Sequence, residues 1–429
     1  MAGAEGFEPS ALGFGVPCQR SIVVGRVRHR TWGAGWSRRW SAPLAAIERR
    51  RSCPSFTIVV RTLLNDAPQA ARFQVAIVMP TYFAGPLDFI GGGDRYAFRV
   101  AQALRAHHDV TLVTFGPTYS EQTVEGLRHV VVKAGGADPE NPIPRLGFFV
   151  RRRFDIIHVY QFRCAVTSML AALGRLVGTP IVVSDVGGGG RSLMLHLRLY
   201  RLIQRFVCIS DFSRTILPRS VWPRAVAVKG GLDLERFQPH AGPRRRRVLQ
   251  VGRIMPHKGI NYLIEAARSD IPVVVAGRVK DPAYFAYLRE LSRGCDVTFL
   301  TDADDEEILE LYRTSAVTVG ASVYRDLWGG TWPMSELLGL TMLESMAVGT
   351  PVVCTRVGGM PEYVVDGKVG FVIEPNDSQA LRMKILQLMS DEPLATKMGN
   401  AGSAHVQQFS WQAVADGVSA EYSRLLNAR

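Results

Sequence analysis

Two glutamates, Glu336 and Glu344, stand with seven residues between them in the C-terminal half of the chain. The first lies in a loop just upstream of Gly339. The second lies in a short helix predicted over 341–348, and an apolar strand predicted over 351–355 follows. Carboxylates accept paired hydroxyl donors, whereas the free N–H groups and the dipole of a helix N-terminus favour anionic oxygens. The pattern therefore suits a crevice that binds a ligand with both sugar hydroxyls and phosphates.

The elements that must position these residues follow an α/β pattern. From residue 73 onward, short apolar runs alternate with amphipathic stretches, which is typical of parallel sheets with crossover helices. Gly230 and Gly231, followed by the Pro- and Arg-rich segment 239–247, interrupt the pattern and indicate an interdomain linker. The pattern then repeats. We therefore expect two doubly wound Rossmann-like domains, with ligands at the carboxyl ends of the strands.

The composition is that of a globular protein of 429 residues, with 47% hydrophobic and 21% charged residues. No run approaches the ~20 apolar residues that span a bilayer. The six cysteines form no CxxC pair, and Cys208 and Cys354 lie in apolar, strand-like runs. Buried free thiols in a reducing cytoplasm are the expectation, and a cytoplasmic protein is predicted.

The net charge of +13 is unevenly distributed. Residues 1–72 hold 11 Arg, no Lys and four acids, so they carry +7 and the body carries +6. This modest excess in the body does not by itself imply nucleic-acid binding, and no nucleic-acid partner is predicted. It suits nucleoside diphosphates or an acidic membrane surface.

Residues 1–72 differ from the rest because Trp and Arg clusters alternate with Gly and no period is sustained. Three interpretations compete: a basic targeting segment, a membrane- or nucleic-acid-binding arm, or non-native coding sequence upstream of the true start. We favour the third and expect the stretch to be largely disordered.

Four segments together resemble retaining glycosyltransferases of family 4, which have the GT-B fold. Glu336 and Glu344 look like the family's Glu-x7-Glu signature. Residues 252–259 (GRIMPHKG) look like its Gly-Arg…Lys-Gly segment, 358–362 (GGMPE) like its Gly-Gly-x-Pro-Glu stretch, and 366–371 (DGKVGF) like its Asp-Gly-x-x-Gly-Phe. Each is weak alone, but their order along the chain makes the set specific.

The resemblance implies a role for each motif residue. Arg253 and Lys258 would stabilise the charge of a departing nucleoside diphosphate, in place of the divalent metal of GT-A enzymes; the alternative is a solvated basic loop. Glu344 would bind the ribose hydroxyls, and it also fits a capping box with Thr341. Glu336 would lie near the transferred sugar and stabilise positive charge near the anomeric carbon.

Backbone groups complete the implied donor site. Gly92 and Gly93 lie in a glycine-rich turn before a helix, where backbone can approach a phosphate; the alternative is an ordinary flexible loop. Gly339 and Leu340 are predicted to bind the donor at the start of the Glu344 helix. No metal or other cofactor is predicted. Asp302 and Asp304 resemble the Asp-x-Asp metal motif of GT-A enzymes, but acids there open a helix, so a capping role is favoured.

The acceptor side departs from the family pattern. His158 ends the strand-like DIIHVY run, and either lines the cleft or is a hydrogen-bonded core histidine. Many family members place a His after the strand that here ends at Ser184, but this chain has Asp185 followed by a run of glycines. Asp185 is therefore a candidate for contact with the sugar or acceptor, and impaired activity remains an alternative.

Residues 191–205 are predicted to form an amphipathic basic helix, which either covers a sheet with a solvated basic edge or contacts anionic lipid at the inner face of the membrane.

The resemblance implies a retaining, metal-independent glycosyltransferase of polysaccharide or glycolipid biosynthesis, with a nucleotide sugar donor and an unknown acceptor. Two alternatives stay open: a nucleotide-sugar epimerase of the same fold, and a catalytically silent module that binds nucleotide sugar or membrane. The expected domains are an extension (1–72), an acceptor-side domain (73–240), a nucleotide-sugar-binding domain (241–409) and a C-terminal helix (410–429) that packs back towards the first domain.

Overall fold

The computed structural model describes residues 71–82, 92–135, 142–187, 196–268 and 270–428. The prediction for the extension 1–72 therefore lies almost wholly outside the described residues. The glycines at 188–190 and residues 191–195 of the predicted basic helix also lie outside them.

Within the described residues, the first sheet has nine strands: β1 (Gln74–Tyr82), β2 (Asp109–Gly116), β3 (Ser120–Val124), β4 (Leu127–Gly135), β5 (Ile143–Pro144), β6 (Ile156–Tyr160), β7 (Ile181–Ser184), β8 (Arg205–Cys208) and β9 (Ala225–Ala227). Their order is β3-β4-β2-β1-β6-β7-β8-β9, and β5 pairs with β4. Among the described strands of this sheet, only β3 and β5 run antiparallel, each to β4. The polar, exposed β3 and the two-residue β5 lack an apolar run, so the sequence did not indicate them.

The second sheet has six strands: β10 (Arg245–Val251), β11 (Val273–Ala276), β12 (Val297–Leu300), β13 (Ser315–Gly320), β14 (Val352–Thr355) and β15 (Gly370–Ile373). All are parallel, in the order β12-β11-β10-β13-β14-β15. Val248 of β10 stands opposite Val273 on one side and Val317 on the other, so this strand lies in the centre of the sheet.

The described helices are α1 (Gly92–Leu104), α2 (Gly147–Arg151), α3 (Ala165–Val177), α4 (Asp211–Thr215), α5 (Ile260–Ala267), α6 (Pro282–Leu291), α7 (Asp305–Thr314), α8 (Leu340–Ala347), α9 (Ser378–Ser390), α10 (Glu392–His405) and α11 (Trp411–Asn427). No helix among the described residues is long and apolar enough to cross a membrane.

Each sheet reverses its strand order beside its first strand. The strand β1 lies between β2 and β6, and β10 lies between β11 and β13. Loops that leave the carboxyl ends of such neighbours diverge and open a crevice, which is where ligands bind in doubly wound folds. The predicted α/β architecture of two Rossmann-like sheets is confirmed, and the Glu336 loop follows β13 at the second crevice.

The C-terminal helix α11 packs against α1 of the first sheet. The rings of Tyr96 and Trp411 meet edge to face at 5.0 Å, and the buried Glu421 pairs with Arg205 at the start of β8. These contacts join the end of the chain to the core of the first domain.

The helix predicted over 191–205 is wrong for most of the part that the structure describes, where only His196 is α-helical. Residues Leu199–Leu202 form a single 3-10 turn, Ile203 is extended, and Arg205 already belongs to β8. The chain must reach the start of β8 within a few residues, which leaves no room for further helical turns.

Candidate functional site

Glu336 lies in the loop between β13 and α8, where two side chains contact it. Nζ of Lys258 lies 2.5 Å from its Oε2, and the hydroxyl of Ser322 donates to the same oxygen at 3.1 Å. Burial raises the pKa of Glu336, but the ammonium of Lys258 and these hydrogen bonds outweigh it, so the pKa lies below its ordinary value. The Glu336 carboxylate is therefore ionised at neutral pH.

Lys258 ends a 3-10 turn (Pro256–Lys258) in the loop that follows β10. The side chain of Gln250 within β10 donates to the carbonyl of Lys258 at 2.8 Å, which anchors this loop to the strand. Arg253 lies in the same loop and is exposed. Burial, Lys258 and Arg253 together lower the pKa of the neighbouring His257 to about 4, so that histidine is neutral and the loop's positive charge comes from Lys258 and Arg253.

Glu344 lies in α8 and has a different environment. The hydroxyl of Tyr312 donates to its Oε2 at 2.8 Å. Burial raises the pKa of Glu344 to about 7, and the charge of Asp305 acts in the same direction. Near neutral pH, Glu344 thus carries a proton in about half of the protein molecules, whereas Glu336 stays ionised.

The predicted capping box of Thr341 and Glu344 is wrong. The helix α8 begins at Leu340, its N-cap is Gly339 with φ 98°, and no side chain caps it. The sequence offered Thr341 and Glu344 at capping-box spacing, but the positive φ of the glycine starts the helix two residues earlier. Glu344 is therefore free of a capping role and bonds to Tyr312 instead.

Gly92 and Gly93 are the first two residues of α1. A Cβ atom at Gly93 would lie 2.9 Å from Cγ2 of Val186, so glycine permits the close approach of α1 to the loop after β7. In the same first turn of α1, Nη1 of Arg95 lies 2.9 Å from Asp305 in the first turn of α7. This ion pair connects the starts of two helices that belong to different sheets.

The structure places His158 in the core rather than in the cleft. Its side chain is fully buried, Nδ1 lies 2.6 Å from the hydroxyl of Tyr422, and Nε2 lies 2.9 Å from Oγ of Ser184. Ser184 donates its own proton to the carbonyl of Val207, so Nε2 of His158 is the donor and Nδ1 accepts from Tyr422. With both nitrogens satisfied, His158 has no group left for a ligand. It is therefore a hydrogen-bonded core histidine, and the alternative that places it on the acceptor side of the cleft is wrong.

Asp185 lies directly after β7 and is 7% exposed. Its Oδ1 accepts the N–H of Gly187 at 3.3 Å, and burial raises the pKa of the carboxyl group. A Cβ on Gly187 would lie 3.2 Å from Leu337, so the loop after β7 reaches the segment that carries Glu336.

The predicted capping role of Asp304 is confirmed. Its carboxylate accepts the N–H groups of Glu306 and Glu307, and the Glu307 side chain accepts the N–H of Asp304 in return. Among the described residues, no group of three His, Cys, Asp or Glu side chains is arranged to hold a metal ion.

The structure thus joins Glu336 to Lys258 directly and puts Glu344 in a second cluster with Tyr312, Asp305 and two arginines, Arg95 and Arg236, whose charges lower its pKa. Sequence reasoning missed Ser322, Tyr312 and Arg95. No local signal could have found them, because each contacts its partner across a loop or across the two sheets.

The two sheets have the strand order of doubly wound, Rossmann-like domains, and the loops at their crevices contact each other. This arrangement defines a protein of the GT-B class. Residues 233–405 match the family model "Glycosyl transferases group 1", and residues 90–236 match the model "Glycosyltransferase Family 4". The chain belongs to this family of glycosyltransferases.

The chain is also similar to individual proteins. It is 28% identical over 231 residues to the D-inositol 3-phosphate glycosyltransferase of Corynebacterium efficiens, which is 48% of this chain and 52% of that protein. The match thus covers about half the length of that curated relative. Sucrose-phosphate synthase from Thermosynechococcus elongatus shares the fold with a TM-score of 0.65 and 22% identity, over 83% of this chain and 100% of that one. The Anabaena protein HepE in complex with UDP-glucose has a TM-score of 0.61 and 16% identity, over 80% and 98% of the two chains.

Proposed function

We propose that this protein is a retaining, metal-independent glycosyltransferase that moves a sugar from a nucleoside diphosphate sugar to a hydroxyl acceptor. The observation that carries the proposal is the contact between Lys258 and Glu336. It puts an ionised acid and a cation side by side where the loops after β10 and β13 meet, at the crevice of the second sheet. A sugar diphosphate carries the complementary groups, since its anomeric carbon gains positive charge and its phosphate gains negative charge as they separate.

In this proposal Arg253 and Lys258 bind the diphosphate. Lys258 is part-buried, so a phosphate oxygen that approaches it meets a cation held in place by Glu336 and by its own anchored loop. Fixed cations of this kind lower the barrier without reorganisation, and removing one typically costs about 3 kcal/mol. Gly92, Gly93, Gly339 and Leu340 supply backbone N–H groups, and Glu344 accepts the ribose hydroxyls in its ionised form.

The proposed transfer is a substitution on one face of the sugar. The bond between the anomeric carbon and the phosphate oxygen breaks, the acceptor oxygen forms a bond to the same carbon, and the acceptor proton passes to the departing phosphate. While these bonds break and form, the ionised Glu336 stabilises the positive charge of the sugar ring. Asp185 is the candidate on the acceptor side, because its loop touches Leu337 beside Glu336.

A thermal-shift panel of UDP-, GDP- and ADP-sugars tests donor binding first, because a ligand that binds only the native state raises the melting temperature. Release of UDP from UDP-glucose is then compared for the wild type, Lys258→Met and the matched control Lys397→Met, whose lysine is exposed on α10. Turnover should fall in Lys258→Met alone. No shift by any nucleotide sugar would contradict the proposal, and sugar conversion without UDP release would favour the epimerase.

A second proposal concerns the membrane. Residues 142–205 hold ten Arg, no Lys and two acids, so their net charge of +8 exceeds that of the whole body. Among the described residues of this region, the exposed large apolar side chains are Ile143, Val150, Leu176, Val177 and Leu197. Where the structure describes this region, the exposed arginines are Arg145, Arg151, Arg153, Arg175, Arg198 and Arg201. The helix α3 contacts both β5 and the 3-10 turn, and Phe149 of α2 joins the same core, so these elements cover one side of the first sheet.

Apolar groups beside arginines suit an anionic lipid surface, where each contributes to binding. Arg205 is not part of this surface, because it pairs with Glu421. Sedimentation with vesicles of phosphatidylglycerol should be weakened by Arg151→Glu with Arg153→Glu, and also by Val150→Ser. The control pair Arg289→Glu and Arg293→Glu, on the other domain, should bind as the wild type does. Equal binding to neutral phosphatidylcholine would contradict the proposal.

A further inference from the structure

The segment 358–362 (GGMPE) carries a carboxylate that the proposed reaction does not use. Oε2 of Glu362 accepts the N–H of Asp211 at 2.8 Å, and Oε1 accepts the N–H of Phe212 at 2.6 Å. Nζ of Lys229 lies 2.8 Å from Oε2, and the Glu362 side chain is 16% exposed. Glu362 belongs to the second sheet's domain, whereas its partners belong to the first.

The other end of the same segment holds the backbone of Glu336. The N–H of Gly359 donates to the carbonyl of Glu336 at 2.9 Å. Gly358 has φ 58°, and a Cβ there would lie 1.7 Å from that carbonyl oxygen. Only glycine permits this approach, so the segment 358–362 runs from the main chain of Glu336 directly to the first domain.

The first domain also contacts the neighbouring residue, Leu337. Oγ of Ser210, the N-cap of α4, donates to the carbonyl of Leu337 at 2.6 Å. The hydroxyl of Tyr363 donates to the carbonyl of Ile209 at 2.8 Å. Residues 209–212 therefore contact the Glu336 loop and the Glu362 segment at once.

We propose that Glu362 is a positioning residue that fixes the backbone of Glu336 against the first domain. Its two hydrogen bonds and its ion pair with Lys229 are charge-assisted. The inference rests on the proposed function in one respect: Glu336 acts on the donor sugar, whereas the acceptor approaches from the first domain. A displacement of about 1 Å between such groups can cost about 100-fold in rate.

Amide hydrogen exchange tests the positioning contact without any substrate. Glu362→Gln removes the charge but keeps the side-chain size. The matched control is Glu374→Gln, since Glu374 pairs with Arg356 within one domain and is 69% exposed. In Glu362→Gln, but not in the control, we expect faster exchange of the amides of Asp211 and Phe212. The amide of Gly359, which donates to the carbonyl of Glu336, should also exchange faster. Unchanged exchange at Gly359 would overturn the proposal.

Turnover tests the consequence. In Glu362→Gln, UDP release from UDP-glucose should fall about tenfold or more, while the Kd of UDP-glucose stays within about twofold, because the donor contacts lie elsewhere. Lys229→Met should change kcat in the same direction but less, since Glu362 keeps both N–H bonds. Equal losses of donor affinity and kcat with a lowered Tm would show a merely structural role and overturn the proposal. If the wild type neither binds nor cleaves UDP-glucose, the proposed function fails for that donor, and the exchange at Gly359 still decides the inference.

Discussion

Lys258 and Glu336 are 78 residues apart in the sequence, yet their charged atoms lie 2.5 Å apart. Their side chains are only 17% and 16% exposed. The contact joins the loops after β10 and β13, which leave neighbouring strands in opposite directions along the sheet. The cation expected at the phosphate and the acid expected at the sugar are thus one electrostatic unit.

Lys258→Met should destabilise the fold, because it leaves the Glu336 carboxylate part-buried without its cation. We expect the free energy of unfolding to fall by about 1–3 kcal/mol, measured by urea denaturation. Adding Glu336→Gln should recover part of that loss, since no unpaired charge remains. Lys397→Met is the control. A Lys258→Met variant as stable as the wild type would contradict the proposed coupling between Lys258 and Glu336.

Acid should weaken the fold through His158. Burial lowers its pKa to about 3, whereas an unfolded histidine titrates near 6.5. Below pH 6.5 the unfolded state therefore binds more protons, and stability falls with pH until about pH 3. This one group contributes a loss of about 2 kcal/mol between pH 6.5 and pH 5. His158→Asn should show a smaller pH slope in urea denaturation, and an unchanged slope would argue against a neutral core histidine.

Much of this arrangement could be predicted from the sequence. The alternating pattern gave the two sheets, and the motifs located Lys258 and Glu336 at one crevice. The environment of Glu344 could not be predicted, because Tyr312 reaches it from α7 and the helix start depends on the φ of Gly339. His158 was ambiguous for the same reason: its partner Tyr422 is 264 residues away.

Donor binding should depend on pH through Glu344. Its pKa in the free protein is about 7, and only the ionised form accepts the ribose hydroxyls in pairs. The affinity for UDP-glucose, whose phosphates do not titrate in this range, should therefore fall about tenfold from pH 8 to pH 6. Calorimetry at both pH values checks this. Glu344→Gln should bind more weakly at pH 8 but without the pH dependence, and a parallel decline in both proteins would assign the titration elsewhere.

Metal removal should leave transfer intact, because the proposed site supplies its positive charge from Arg253 and Lys258. EDTA added to the assay of UDP release should not abolish activity. Strict dependence on Mg²⁺ or Mn²⁺ that is lost in Asp302→Ala would contradict both the proposed role of the cations and the capping role assigned to that acidic segment.

The two glutamates should separate binding from turnover. Glu344→Gln should weaken both UDP and UDP-glucose, since both carry the ribose that it is proposed to hold. Glu336→Gln should cut turnover while UDP affinity stays nearly unchanged, because Glu336 is proposed to act only on the sugar. Glu344 makes no capping bond, so its substitution should cost about 1 kcal/mol or less, through the hydrogen bond from Tyr312. Calorimetry with UDP, melting curves and UDP release from UDP-glucose give the three readouts. Equal loss of UDP affinity in both variants would refute this division, and unchanged affinity and turnover in both would remove the basis for a sugar-nucleotide site here.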